Sequence, residues 1–459
     1  MTDQPDDLLP ATRRALLHRL ATVQAEGRTP SLVGAVVRDG RTVWTGARSM
    51  IDDHAPTPDV QYRIGSITKT FAAVLVLRLR DEGLLDLADP LERHLPGTAA
   101  GDATVAQLLS HTAGLAAETP GPWWERTEGT LRPELADLLD EQPLRHPRGR
   151  RFHYSNPGYA LLGALVERLR GAPWGDVLAR EVLDPLGLTR TSLLPRAPHA
   201  GGFAVHPWAD VMLPEPLTDT GRMAPAGQLW STAADLARWA AFLADGDPRV
   251  LAAETRAEMR RPAAPAEEDW SAGYGLGLQL RRRDGGLLFG HTGSMPGFRA
   301  GLWVGEREGV AAVALANSTS GTPSPAALAA DLIAIVAEHE PPMPRPWRPL
   351  ADLDESLLAL TGPWYWGPQG FTLRLRAERA LELVPLAAPG GPGSRFRPGP
   401  DGTWTGLDGY YAGETLRVVR AADGSPVHLD LGSFVLTREP YGPASVVPGG
   451  VEPGGWRPA

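Results

Sequence analysis

Five prolines, Pro341, Pro342, Pro344, Pro346 and Pro349, stand within residues 341–349 of this 459-residue chain, and they restrict its folding more than any other feature. A proline fixes its own φ and removes a backbone donor, so such a run sustains neither a helix nor a sheet ladder. The run predicts a linker at 341–349 between two domains, 1–340 and 350–459. The two sides differ in period.

Before the linker, apolar residues recur at helical spacing over 8–27, and two Val-rich runs, 31–38 and 41–47, flank the hairpin dipeptide Asp39-Gly40. Helical patterns follow at 66–82, 104–110, 159–170, 174–183 and 232–244. Strand patterns return at 274–280, 287–290, 299–305 and 310–316, and a last helix is expected at 325–339. The expected fold class is α/β (α+β), with one antiparallel sheet completed by the first and last thirds and a helical middle packed beside it. After the linker, short β-like runs at 371–375, 381–384, 403–407, 415–419 and 434–437 predict a small all-β domain, a barrel or a sandwich, with the barrel as the expected form. Its aromatic residues Trp364, Tyr365, Trp366, Trp404, Tyr410 and Tyr411 are expected in the barrel core.

Composition excludes several function classes. The formal charge of -9, from 45 Lys and Arg against 54 Asp and Glu, is mild and forms no basic stripe, so no nucleic-acid partner is expected. With no Cys, disulfides, thiolate nucleophiles and Cys-ligated metals are excluded. No His, Asp and Glu cluster has metal-ligand spacing, so neither metal nor cofactor is expected. The acidic opening residues lack the apolar core of a secretory leader, and no apolar run reaches a membrane span, so the chain is expected to be cytoplasmic and off the membrane.

The chemistry concentrates in Arg63-Ile64-Gly65-Ser66-Ile67-Thr68-Lys69, where a loop enters a helix. Residues three apart share a helix face, so Ser66 and Lys69 lie within reach of each other. A serine hydroxyl attacks a carbonyl only when a base takes its proton, and a buried lysine of lowered pKa can be that base. The same spacing also describes a serine N-cap followed by a solvated lysine. Two more elements follow in order, Tyr154-Ser155-Asn156 and His291-Thr292-Gly293. Taken singly, Tyr154 reads as a half-buried aromatic, Asn156 as a turn residue before Pro157, and His291 as a strand-edge histidine bonded to a carbonyl.

Together the three elements resemble the class C β-lactamases, low-molecular-weight penicillin-binding proteins and related esterases. The flanking segments TVAQLLSHTAGL, FHYSNPGYALLG, APAGQLWSTAADL and GHTGSMPGF extend the resemblance over roughly residues 10–338. It implies that Ser66 is acylated, that Lys69 is general base or proton relay, and that Tyr154 shares the proton traffic. It implies that Asn156 holds the substrate amide or Lys69, that the backbone N–H groups of Ser66 and Ser294 form an oxyanion hole, and that His291, Thr292 and Gly293 line the substrate. His291 stands where penicillin-binding proteins usually carry lysine, a change seen in esterases, D-amino-acid amidases or peptidases, and peptide cyclases of this fold. His111 and His153 are expected to be structural, and Trp123 and Trp124 either line a cleft or pack against a neighbour.

Three functions remain open at this point. One is hydrolysis of a small ester, an amide or a peptide, including substrates with D-amino acids. A second is a thioesterase or peptide cyclase using the same acyl-enzyme, and a third is an inactive ligand-binding homologue. The added barrel resembles the lipocalin-like domains appended to some relatives.

Overall fold

The computed structural model describes residues 8–49, 57–127, 134–283, 286–344, 346–350, 354–388, 393–442 and 445–446. The chain divides into two compact units after Met343. The residues before Leu8 and part of the expected loop at 388–393 lie outside the described set.

In the larger unit, helix α1 (Pro10–Glu26) starts on a proline, whose missing N–H costs nothing in a first turn. Strands β1 (Ser31–Arg38) and β2 (Arg41–Ser49) form the expected hairpin. Helix α2 (Thr68–Asp81) follows a 3-10 turn at Gly65–Ile67, and helix α3 spans Asn156–Arg170. Helix α4 (Ala233–Asp245) precedes strands β3 (Ala264–Pro265), β4 (Ala272–Tyr274) and β5 (Gln279–Arg283). The unit ends with β6 (Gly286–Met295), β7 (Phe298–Gly305), β8 (Val310–Ala316) and helix α5 (Pro325–His339).

These eight strands make one antiparallel sheet in the order β2-β1-β8-β7-β6-β5-β4-β3. Strand β1 is buried on both faces, and its side chains divide by parity. Leu32 and Val36 join Leu16, Leu20, Trp303 and Leu332 on the side of α1 and α5, whereas Val33, Ala35 and Val37 join Phe71, Trp239 and Leu315 on the helical side. On that side the Phe71 and Trp239 rings stack with centroids 3.8 Å apart, pinning α2 to α4.

Two expectations change here. The single strand at 274–280 is two strands, because the Leu276 and Gly277 N–H groups bond to Met259 and Leu109 and turn the backbone away. Helix α3 begins at Asn156, not at residue 159, because the Ser155 hydroxyl caps it by accepting from the Gly158 N–H.

The smaller unit is a closed eight-stranded barrel: β9 (Gly362–Trp366), β10 (Gln369–Leu375), β11 (Leu381–Pro385), β12 (Ser394–Pro398), β13 (Trp404–Gly406), β14 (Thr415–Arg420), β15 (Pro426–Leu431) and β16 (Phe434–Thr437). Strands β9, β12 and β15 escaped the sequence pattern, since proline and charged residues interrupt their apolar runs. The aromatic expectation is half corrected. Trp364 and Trp404 are buried with Leu373, Leu383, Phe396 and Leu429, but Trp366 is 43% and Tyr410 79% exposed.

Candidate active site

The turn before α2 and the end of β6 are pressed together by two glycines. A β-carbon at Gly65 would lie 2.5 Å from the Ser294 nitrogen, and one at Gly293 would lie 1.9 Å from the Ile64 carbonyl oxygen. No side chain fits at either position, so the backbones approach closely and the N–H-bearing atoms of Ser66 and Ser294 come to one place. Gly65 also takes φ +53°, in the left-handed region that suits glycine.

The first turns of α2 and α3 then bring Lys69 to Ser66. The Lys69 Nζ is fully buried, 3.0 Å from Ser66 Oγ, 2.7 Å from Asn156 Oδ1 and 2.6 Å from the Ala226 carbonyl oxygen. Burial pulls its pKa from 10.5 to about 7, and the carboxylates of Glu118 and Glu125 partly restore it. A neutral amine has two protons and one lone pair. Asn156 Oδ1 and the Ala226 carbonyl can only accept, so the two protons go to them and the lone pair faces the Ser66 hydroxyl.

Tyr154 hydrogen-bonds Ser66, and its ring centroid lies 4.8 Å from Lys69 Nζ. Burial pushes its pKa far up, so it is a phenol and not a phenolate. Beneath it His111 stacks at 4.2 Å, with Nδ1 accepting from the Ser155 N–H at 3.0 Å; burial and nearby Lys69 hold His111 neutral. Asn156 links inward to Lys69 and outward, through Nδ2, to Glu118 Oε1 at 2.7 Å.

A cavity of about 580 Å³ opens on this group, lined by Ser66, Tyr154, Thr292, Gly293 and Ser294 together with Glu125, Gln279 and Arg299. A larger one, about 690 Å³, lies along α3 near Trp174 and Arg222 and contains none of the predicted site residues.

His291 departs from its expected place on the substrate wall. It is fully buried, its Nδ1 pairs with the Thr292 carbonyl at 2.6 Å, and its Nε2 pairs with the Tyr274 hydroxyl at 2.9 Å. Strand parity explains this, for Thr292 and Ser294 point to the face opposite His291. Burial lowers the His291 pKa to about 3, so it is a neutral group behind Tyr154, and Tyr274 is its partner.

The sequence did not single out Glu118, Glu125, Gln279, Tyr274 or the Ala226 carbonyl. Glu125 arrives on the segment 121–127 and Glu118 just before it; Trp124 Nε1 donates to Glu118 and Trp123 Nε1 to Glu125. Of the two tryptophans, Trp124 packs against the core and Trp123 is 58% exposed. Burial raises the Glu125 pKa. Among the described residues no cluster of His, Asp and Glu can hold a metal ion, and no helix is long and apolar enough to cross a membrane.

A family profile described as Beta-lactamase matches residues 16–338, and a domain of unknown function, DUF7586, matches 353–438. Penicillin-binding protein 4 of Amycolatopsis lactamdurans is 31% identical over 330 residues, covering 66% of this chain and 85% of that protein. The octameric penicillin-binding protein homologue from Pyrococcus abyssi superposes with a TM-score of 0.63 at 21% identity, over 93% of this chain and 99% of that one, which is a likeness of fold. The D-amino acid amidase from Ochrobactrum anthropi SV3, solved with L-phenylalanine amide, gives 0.60 at 25% identity, over 72% of this chain and 98% of that one.

Proposed function

The chain belongs to the beta-lactamase family, and from that premise we propose that it is a serine hydrolase working through an acyl-enzyme on Ser66. The observation that carries the reading is the set of three partners around the buried Lys69 amine, which turns its lone pair to the Ser66 hydroxyl.

As Ser66 Oγ bonds to the substrate carbonyl carbon, its proton passes to Lys69 Nζ. The carbonyl oxygen becomes an oxyanion held by the N–H groups of Ser66 and Ser294, whose approach the close packing of Gly65 and Gly293 supports. The carbon then expels its alkoxide or amine, which takes the phenolic proton of Tyr154 as it leaves, and the Lys69 ammonium beside Tyr154 returns a proton to the phenolate, so that Lys69 ends neutral. Water repeats the sequence on the ester, releasing an acid and free Ser66.

The substrate class follows from charge. His291 is neutral and hidden, Lys69 is spent on Ser66, and the charged groups of the cavity wall are the Glu125 carboxyl and the Arg299 guanidinium. A wall with one group of each sign suits an amide that bears an amino group beside Glu125 as well as a neutral ester. The Ochrobactrum amidase, with its amino-acid amide, supports a D-amino-acid amide as one such substrate.

Intact-mass measurement after treatment with a fluorophosphonate, with turnover of p-nitrophenyl acetate and D-phenylalaninamide, tests the reading. One adduct that disappears in Ser66→Ala, with turnover lost alongside, is the expected result. An adduct retained in Ser66→Ala, or none in the wild type, would overturn it.

A further inference from the structure

A short helix, Val105–Leu109, ends at Ser110, and the chain leaves it through His111 at φ +56°, in the left-handed region that a histidine seldom takes. From there His111 engages three consecutive residues of the segment that carries Tyr154. Its carbonyl oxygen accepts from the His153 N–H at 2.8 Å, its ring stacks on the Tyr154 ring with centroids 4.2 Å apart and planes 30° apart, and its Nδ1 accepts from the Ser155 N–H at 3.0 Å. The imidazole is buried, and the rings of Tyr274 at 4.7 Å and Tyr159 at 5.0 Å fix it from other directions.

This placement is costly in two ways. A glycine or an asparagine would take the left-handed backbone with less strain. Because Nδ1 accepts a hydrogen bond, the neutral ring carries its proton on Nε2, and Nε2 is buried with no hydrogen-bond partner among the described residues. An apolar side chain would bury no such donor. Asparagine has the acceptor without the ring, and phenylalanine has the ring without the acceptor. Histidine supplies a flat surface against Tyr154 together with an acceptor for the N–H that follows it. Strain of this kind persists where the surroundings over-determine it, and it gathers at sites of function.

We propose that His111 is a positioning residue of the reaction, its ring the platform that aims the Tyr154 phenol at the leaving group. The role rests on the acyl-enzyme reading, and His111 itself touches no substrate. As the bond from the carbonyl carbon to the leaving oxygen or nitrogen breaks, its electron pair goes to that atom and the proton comes from Tyr154. The hydrogen bonds at residues 153 and 155 hold the main chain on both sides of Tyr154, and the stacked imidazole limits the swing of the ring between them. A phenol free to swing loses alignment for proton transfer, and the loss falls hardest on the leaving groups that most need a proton.

Steady-state kinetics with phenyl acetate and p-nitrophenyl acetate test this. Both esters give the same acetyl-enzyme, but nitrophenolate departs near neutral pH without a proton, whereas phenolate gains from one. His111→Asn keeps the acceptor and suits the backbone; it should lower kcat/KM about tenfold or more for phenyl acetate and less than about threefold for p-nitrophenyl acetate. Tyr154→Phe should show the same split, and adding His111→Asn to it should cost less than about threefold further, because both act through one hydroxyl. His111→Phe, which keeps a ring against Tyr154, should hold the wild-type ratio between the two esters. The two His111 variants decide independently, so loss of folding in one, seen by circular dichroism, leaves the other as the test. Equal falls for both esters in His111→Asn, a full second loss in the double variant, or a changed ester ratio in His111→Phe would overturn the proposal and leave the hydrolase reading standing. A wild type that turns over neither ester would overturn that reading and the role of His111 with it.

Discussion

Replacing Lys69 by methionine tests the electrostatics of the site apart from its chemistry. Moving the folded pKa from 10.5 to about 7 means that the folded chain holds fewer protons than the unfolded chain between those values. Stability therefore rises with pH across that window and is lost as pH falls towards 7. The full difference corresponds to about 5 kcal/mol at 1.36 kcal/mol per pH unit. Methionine fills the same volume with no proton to lose, but it strands Asn156 Oδ1 and the Ala226 carbonyl, at about 1–3 kcal/mol each. The two terms nearly offset at pH 7, so Lys69→Met should fold with stability within about 2 kcal/mol of the wild type. Their pH dependence does not offset. Urea unfolding of both proteins at pH 7.5, 8.5 and 9.5 should show the wild type gaining about 2–3 kcal/mol on the variant over those two units, any barrel contribution cancelling in the difference. A difference that stays flat with pH would refute the reasoning, because Lys69 would then titrate in the folded chain near its ordinary value. Ester turnover should fall by about a thousandfold or more in Lys69→Met whichever way stability moves.

Three further outcomes are expected. The kcat/KM profile should rise through an acid limb near pH 7 as Lys69 loses its proton, and Glu118→Gln, by removing a carboxylate that favours the ammonium, should move that limb down by about half a pH unit in stopped ester assays. Gly293→Ala should push β6 off the Ile64 carbonyl and misplace the Ser294 N–H, lowering kcat by about 100-fold or more while near-ultraviolet circular dichroism shows a folded core. His291→Lys should lower stability by about 3 kcal/mol in urea titrations, because an ammonium enters a fully buried place, and should give no preference for carboxylate-bearing esters over neutral ones. A carboxylate preference would mean that the residue reaches the cavity after all.

The division of the molecule was legible because proline chemistry is local, and the Ser66 and Lys69 pair because helical spacing alone decides whether two side chains meet. Asn156 looked like a turn residue since Pro157 follows it, yet proline is welcome in a first helical turn and Ser155 supplies the cap. The face of His291 was available from period-two alternation, but the motif reading placed the whole triplet on one side. Glu118 and Glu125 had no local signal, for they reach the site on an irregular loop fixed by tryptophan N–H bonds. Barrel strands such as Pro426–Leu431 were hidden because two-residue alternation is easily masked by proline and charge, and only closure of the barrel decides which aromatic residues end inside.

The strand order has a consequence for when the proposed site comes into being. Strand β8, last of the sheet to be made, sits between β1 and β7, so the amino-terminal hairpin has no neighbour on that side until residues 310–316 have left the ribosome. Ser66 is synthesised early and Ser294 late, and nothing local brings them together; only the finished sheet does. A nascent chain therefore lacks the assembled site through most of its synthesis, and the proposed hydrolysis should switch on within a few residues of chain length once β8 is free to pair.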